Sequence, residues 1–283
     1  MTTLQNKIDF AILFRVQNAN PNGDPLNGNR PRADYAGFGE VSDVALKRKL
    51  RDRLQESGAA VFVQSDDRKN DGEASLRNRA EAGLGKENFK KGANRDKTAR
   101  LACEKWIDVR AFGQVFAFAG GKDSDGVSIP IRGPVSIQPA FSLEPVSITS
   151  TQITKSVNSE GDGTKRGADT MGMKHRVDLG IYATYGSINP QLAEKTGFSS
   201  SDVEAIKEVM PRLFENDVSS ARPDGSMQVV KVIWWKHASK SGQYSSAKVH
   251  DSFRSLLNSD GTFDESALKS ALPGLEPEIG DGF

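Results

Sequence analysis

The run Ile8-Asp-Phe-Ala-Ile-Leu-Phe-Arg-Val16, followed at once by Gln17-Asn-Ala-Asn-Pro-Asn-Gly-Asp-Pro-Leu-Asn-Gly-Asn-Arg-Pro-Arg32, decides how the chain is read. Ile8, Phe10, Ile12, Phe14 and Val16 recur with a period of two and share one face of a strand expected over residues 6–17. Ala11 and Leu13 make the opposite face partly apolar, which places this strand well inside a sheet. The stretch after it can neither pack a core nor continue a strand. Ten of the fourteen residues from Asn18 to Pro31 are Asn, Gly or Pro. Such a segment holds a fixed backbone shape and presents amides and carboxamides. At the end of a sheet it is either a plain connection or a recognition loop.

A chain of 283 residues makes one elaborated domain or two small ones. A formal charge of +1 excludes a uniformly basic nucleic-acid protein, so the distribution of charge matters more than its sum. Lys and Arg are in excess over residues 42–110, including Lys47, Arg48, Lys49, Arg51 and Arg53, whereas carboxylates gather after Asp251. Cys103 is the only cysteine, which excludes an intrachain disulfide and a Cys-based zinc site and suits a reducing compartment. The chain lacks a run of about eighteen apolar residues. Its start, Met1-Thr-Thr-Leu-Gln-Asn, lacks the basic and apolar regions of a signal peptide. A soluble, cytoplasmic protein with no membrane partner is expected.

Outward from the opening stretch, Ser42 or Asp43 caps a helix running to about Glu56, with Leu46, Leu50 and Leu54 on one stripe and Lys47, Arg48 and Arg51 off it. Residues 64–100 are too polar to build a core and read as an insertion with short helices. A helix is expected from about Asp96 to Phe112, then an edge-type strand over Val127–Ile137, where Pro130 and Pro134 remove ladder donors. Ser147–Thr154 and Val177–Tyr185 read as two strands of one sheet, joined by an unusually long connection from Lys155 to Arg176. A helix over residues 200–214, a closing strand Met227–Trp235 and a helical, acidic extension complete the chain. The order is strand, helix, insertion, strand, long loop, strand, helix, strand: an α+β chain of the β-α-β-β-α-β ferredoxin-like pattern, elaborated by insertions.

Catalytic signals are sparse. His175, His237 and His250 have no metal-site spacing, and Gly120-Gly-Lys-Asp lacks the upstream Gly and the Ser/Thr of a phosphate-binding loop. Neither a metal nor a cofactor is expected. Nucleic-acid binding has more behind it. A ferredoxin-like sheet is the scaffold of the common RNA-binding module, and Lys47, Arg48 and Arg51 supply phosphate-directed charge. The long connection adds glycines for close backbone approach, the cations Lys165, Arg166 and Lys174 beside His175, and Met171 and Met173 to wedge against bases.

Five motifs in order, Asn20-Pro-Asn-Gly-Asp-Pro25, Ser42-Asp-Val-Ala-Leu-Lys-Arg-Lys-Leu50, Asp108-Val-Arg-Ala-Phe-Gly113, Arg132-Gly-Pro-Val135 and Met171-Gly-Met-Lys-His175, resemble the repeated backbone subunit of type I CRISPR Cascade complexes, most of all its I-C branch. The resemblance runs from the first strand to about Trp235. It implies a right-hand shape: a modified RRM-like palm (1–60, 105–150 and 177–240), a helical fingers insertion (61–104), a thumb (151–176) and a C-terminal extension (241–283). It further implies a non-enzymatic role: binding CRISPR RNA beside further copies of itself and other Cascade subunits, with target DNA reached through the guide. On this reading Asn20, Asn22 and Gly23 contact RNA through carboxamides and backbone amides, and Lys47, Arg48 and Arg51 bind phosphates. Arg132 supports the palm, and Lys165, Arg166, Met171, Lys174 and His175 act in the thumb. Related subunits of type III complexes cut RNA with a palm-loop acid, for which Asp24 or Asp34 would be the counterparts here.

Overall fold

The computed structural model describes residues 2–90, 92–118, 127–156 and 171–283. Strand β1 (Ile8–Ala19) is followed by the two-residue strands β2 (Gly23–Asp24) and β3 (Arg30–Pro31), then β4 (Phe38–Val41). Helix α1 (Asp43–Glu56) starts where the Ser42 hydroxyl accepts the Ala45 N–H. The insertion carries α2 (Leu76–Leu84), α3 (Arg95–Lys105) and α4 (Ile107–Phe112). Next come β5 (Gly113–Phe118), β6 (Val127–Arg132), β7 (Val135–Ile137), β8 (Ala140–Pro145), β9 (Ile148–Thr154) and the long β10 (Met171–Ile188). Helices α5 (Pro190–Thr196) and α6 (Ser200–Val209), strand β11 (Met227–Lys236), helices α7 (Ser246–Arg254) and α8 (Glu265–Ser270) and strand β12 (Glu278–Asp281) complete the chain.

The main sheet is antiparallel, in the order β12-β11-β1-β10-β8-β4, with β7 and β9 also paired to β10. Its first face buries Phe10, Ile12, Phe14 and Val16 against Leu46, Leu50 and Leu54 of α1 and Val203, Ile206 and Val209 of α6. Phe14 stacks on Tyr182 at 5.3 Å and Phe10 on Trp234 at 5.6 Å. The second face is covered over β11 and β1, where Ala11, Leu13, Tyr185, Ile233 and Trp235 lie under Val249 and Phe253 of α7, Leu268 of α8, and Leu272 and Leu275. Over β8 and β10 it stays open as a cavity of about 590 Å³ lined by Phe141, Leu143, Ala183, Tyr185, Arg254 and Leu257. The acidic extension thus supplies the cover of this second cluster. Each large apolar side chain it buries contributes about 1.5–3 kcal/mol.

A third cluster belongs to the insertion, where Phe62, Phe89, Trp106 and Phe116 pack together. It divides the helix expected over Asp96–Phe112. Trp106 leaves helical geometry (φ −117°, ψ 122°) to bury its indole there, and α4 starts afresh after it. The strand expected over Val127–Ile137 also divides. Residues 127–132 pair with β5 and pack on the insertion, whereas 135–137 join the main sheet. The break falls at Gly133, where a Cβ would strike the backbone of Ala111 and Gly113. The helix expected over 200–214 tightens to a 3-10 turn at Met210–Arg212, because Pro211 has no N–H to donate.

A buried polar cluster fastens the C-terminal cover. Asp9 Oδ2 lies 2.8 Å from His237 Nε2 and 3.1 Å from Lys7 Nζ. Gln243 N donates to His237 Nδ1, leaving Nε2 as the donor to Asp9. His250 of α7 lies 3.0 Å from the Gly186 carbonyl. Burial opposes ionisation of Asp9, but its hydrogen bonds from His237 and Ser246 and the charge of Lys7 overcome it and hold the carboxyl below its ordinary range. Burial pushes His250 down, against the attraction of Asp9. Both groups have folded-state pKa values below their unfolded ones, 6.5 for His250 and 3.8 for Asp9. The stability they confer is therefore full above those values and falls with pH below them, His250 first. Urea unfolding is expected to need less denaturant at about pH 5.5 than at about pH 7.5. His250→Gln, which keeps a donor for Gly186, is expected to shrink that difference.

Candidate nucleic-acid interface

The Asn/Pro loop is held by its own amides. Asn18, Gly28 and Asn29 adopt left-handed φ, and Gly23 and Asp24 pair with Pro31 and Arg30. Asn20 is buried; its Nδ2 donates to the Asn29 carbonyl at 2.7 Å and its backbone N–H to Ala221 at 2.8 Å. Asn22 Oδ1 accepts the Ser42 N–H at 2.9 Å, which ties the loop to the first turn of α1. Gly23 lies so close to the Asn29 carboxamide that a Cβ would collide with it. Two of the three loop residues expected to touch RNA thus spend a side chain on the loop's shape. What the loop presents outward is Leu26 and, from the next turn, Tyr35, both fully exposed, with Arg30 beside them.

The carboxylates of this region also serve its shape. Asp24 Oδ1 accepts the Leu26 N–H and lies 3.6 Å from Arg32, and Asp34 Oδ1 accepts both Ala36 N and Phe38 N at 2.9 Å. Among the described residues no group of three or more His, Cys, Asp or Glu side chains comes together as a cation site.

Across the loop stands a two-stranded arm. Residues 171–176, expected within a connecting loop, are strand: Met171 pairs with Thr154 and the register runs unbroken to Val177 opposite Ile148. Alternation along the arm puts Met171, Met173 and His175 on one face and Lys174 and Arg176 on the other. Both methionines are more than half exposed, and His175 Nδ1 lies 2.8 Å from Ser150 Oγ. The arm and the loop meet at their roots, where Ala19 pairs with Val177. Lys165 and Arg166 lie outside the described residues.

The basic helix divides into two kinds of cation. Lys47, 2.9 Å from Asp43, sits in a part-exposed i,i+4 pair of the weak kind that phosphate can replace, whereas Arg48, itself part exposed, holds both oxygens of the buried Asp52 at 3.0 Å. Arg51 is 12% exposed and donates to Asp108, whose carboxylate also accepts the backbone N–H groups of Phe62 and Val63. Its guanidinium lies 5.1 Å above the Phe112 ring. Arg51 thus joins α1 to the root of the insertion and is not presented to a ligand. Arg132, exposed at the end of β6, stands apart on the insertion's hairpin.

The strand expected over Ser147–Thr154 is present, but sequence reasoning missed its partner, residues 171–176, and with it the place of Ser150, Gln152 and Ile153 beside β10. Its signal was the alternation Met171-x-Met173-x-His175-x-Val177, hidden among glycines. The two kinds of cation differ in stability. Arg51→Ala is expected to cost about 3 kcal/mol in urea unfolding, because it leaves a buried carboxylate short of its cation. Lys174→Ala is expected to change stability by less than about 0.5 kcal/mol.

A family model and a relative by sequence name the same family. Residues 6–268 match the family model described as CRISPR-associated protein Cas7. A CRISPR-associated protein Cas7 of Haloferax volcanii is 32% identical over 234 residues, covering 78% of this chain and 67% of that protein. Chains of two solved structures share the fold. One is from a CRISPR RNA-guided surveillance complex in a pre-nicking state (TM-score 0.56, 16% identity, 94% of this chain and 87% of that one). The other is from a CRISPR RNA-guided surveillance complex (TM-score 0.52, 16% identity, 97% and 88%).

Proposed function

The chain belongs to the Cas7 family, and on this premise we propose that it is a non-catalytic CRISPR RNA-binding subunit, repeated along one guide as the backbone of a type I-C surveillance complex. The observation that carries the reading is the two-faced arm rooted beside a rigid loop, on a sheet whose second face is covered over β1 and β11. RNA-binding modules of the ferredoxin-like kind commonly stack bases on that face. Here the strand order β11-β1-β10-β8, with α1 and α6 behind it, supports such a palm, but α7 and α8 occupy the place where bases would lie. RNA therefore runs beside the sheet, between loop and arm. Met171, Met173 and His175 press on bases, and Lys174 holds phosphate with Lys165 and Arg166 as further cations of the thumb. Lys47 and Arg48 extend the phosphate track. Asn20, Asn22 and Gly23 shape its wall, with Asn22 setting the loop against the start of α1.

This arrangement grips backbone and shape and leaves Watson–Crick edges free to pair with target DNA. Other Cascade subunits close the ends of the stack. Asp24 and Asp34, the counterparts of a cleaving acid, are engaged in turns, which supports holding RNA over cleaving it.

Binding to a single-stranded RNA, followed by anisotropy across salt concentrations, tests the reading. Lys174→Ala is expected to weaken binding to all sequences alike and to reduce the salt slope by about 0.7. Met171→Ala with Met173→Ala should weaken binding and leave the slope unchanged. A chain that purifies free of RNA from cells expressing a CRISPR transcript would overturn the proposal.

A further inference from the structure

The arm has two edges, and only one of them faces the loop. Strand β1 lies against one side of β10 and β9 against the other, so the outer edge of β9 looks away from the Asn/Pro loop and from the track proposed for RNA. Sheet edges expose unpaired N–H and C=O groups, and proteins blunt them with short strands, charges, prolines or covering segments. The other edge strands of the main sheet are blunted in these ways. Strand β7 has three residues, and β12 has four and carries Glu278 and Asp281. Strand β4 has four and is covered by the chain before it, where Glu40 N donates to the Arg32 carbonyl and Asp34 N to the Phe38 carbonyl, each at 2.9 Å. Strand β9 has seven residues, Ile148-Thr-Ser-Thr-Gln-Ile-Thr154, with no charge and no proline.

The register fixes which groups point outward. Asp178 N donates to the Ser147 carbonyl at 3.0 Å, and bonded pairs alternate from there, so Thr149, Thr151 and Ile153 bond to Arg176, Lys174 and Gly172. Ser150, Gln152 and Thr154 therefore turn their amides and carbonyls away from β10. None of these groups has a backbone partner beyond β9 among the described residues. Ile153 is 48% exposed, and the residue opposite it, Gly172, has no side chain to cover it.

We infer that β9 is completed by an added strand, an extended segment of another polypeptide. Each outward residue offers a donor beside an acceptor, repeated about every 6.8 Å. Another backbone matches that alternation, whereas phosphates only accept and would meet the carbonyls as like charge. The seven residues also carry no cation to draw a polyanion. The uncovered Ile153 is matched by a β-branched or apolar residue on the added strand, as in other cross-strand pairs. A second copy is the remaining strand donor, and the proposed function, on which this choice rests, excludes it: β9 against β9 is two-fold and closed, while a subunit repeated along one guide needs contacts that propagate.

The test uses the full chain and, as probe, a synthetic heptapeptide of alternating Thr and Val, with amide hydrogen exchange resolved residue by residue. With the peptide in excess, exchange at Ser150 and Gln152 is expected to slow by about tenfold, while Thr149, Thr151 and Ile153, already bonded to β10, change little. The same peptide N-methylated at every amide is expected to change nothing. Gln152→Pro removes an outward N–H and none that bonds to β10, and Thr154→Pro does the same at the strand's end. Each is expected to abolish the protection while melting temperature and RNA affinity stay those of the unaltered chain. Exchange unchanged by the peptide at millimolar concentration, or slowed equally along all of β9, overturns the inference. The alternating pattern produced by single-stranded RNA without peptide also overturns it and makes the edge a nucleic-acid surface. The pattern appearing as the chain alone is concentrated, with a doubling of mass, overturns it in favour of a second copy. A chain that binds no RNA, yet shows the pattern with the peptide alone, overturns the proposed function and supports the added strand.

Discussion

The burial of β1 on both faces is the constraint from which the rest of the structure follows. A strand carrying Phe10, Ile12 and Phe14 on one side and Ala11 and Leu13 on the other needs two covers, and one pair of helices supplies only one. The second cover comes from α7, α8 and the segment around Leu272 and Leu275. With both faces of β1 filled, the centre of the sheet is closed to a ligand, and its ends and projecting strands are what it presents. The candidate interface is accordingly built where β1 and β10 run out, from a loop that follows the first and an arm that precedes the second.

Rigidity at that end is local in origin. The Asn/Pro loop spends its carboxamides on itself and on the start of α1, so its shape is set before any ligand arrives and little ordering entropy remains to be lost on binding. The Asp108 carboxylate does comparable work behind it. By accepting Arg51 and two backbone N–H groups, it fixes the insertion to α1. The side chains that project from such a frame, Leu26, Tyr35 and the methionines of the arm, are exposed.

Much of this was legible in the sequence. The period-two run in β1 and the Leu46, Leu50, Leu54 stripe named their elements to within a few residues, because each element's apolar pattern is unbroken and its cap is a strong one. Three features were hidden for physical reasons. Trp106 is compatible with helix on propensity alone, and only the aromatic cluster it enters makes leaving the helix favourable. The arm of β10 lacks apolar residues on one face because it stands in solvent, so its composition reads as loop. Arg51 could not be told from Lys47 or Arg48, since its partner Asp108 lies 57 residues away and nothing local announces it. For the site, spacing located the segments, while burial decided which of their side chains are available.

The two covers of β1 also differ in when they become available to a chain emerging from the ribosome. The helices of the first face follow within the next two hundred residues, but β11 and the segment from Val249 to Leu275 are made near the end of the described chain. Until then Leu13 and its neighbours have no cover, and β1 lacks the partner on one of its edges. Such long-range closure is slow and leaves an apolar strand open to other chains meanwhile. A protein built this way becomes competent all at once and late, so the nascent chain holds no finished groove until its last helices have docked.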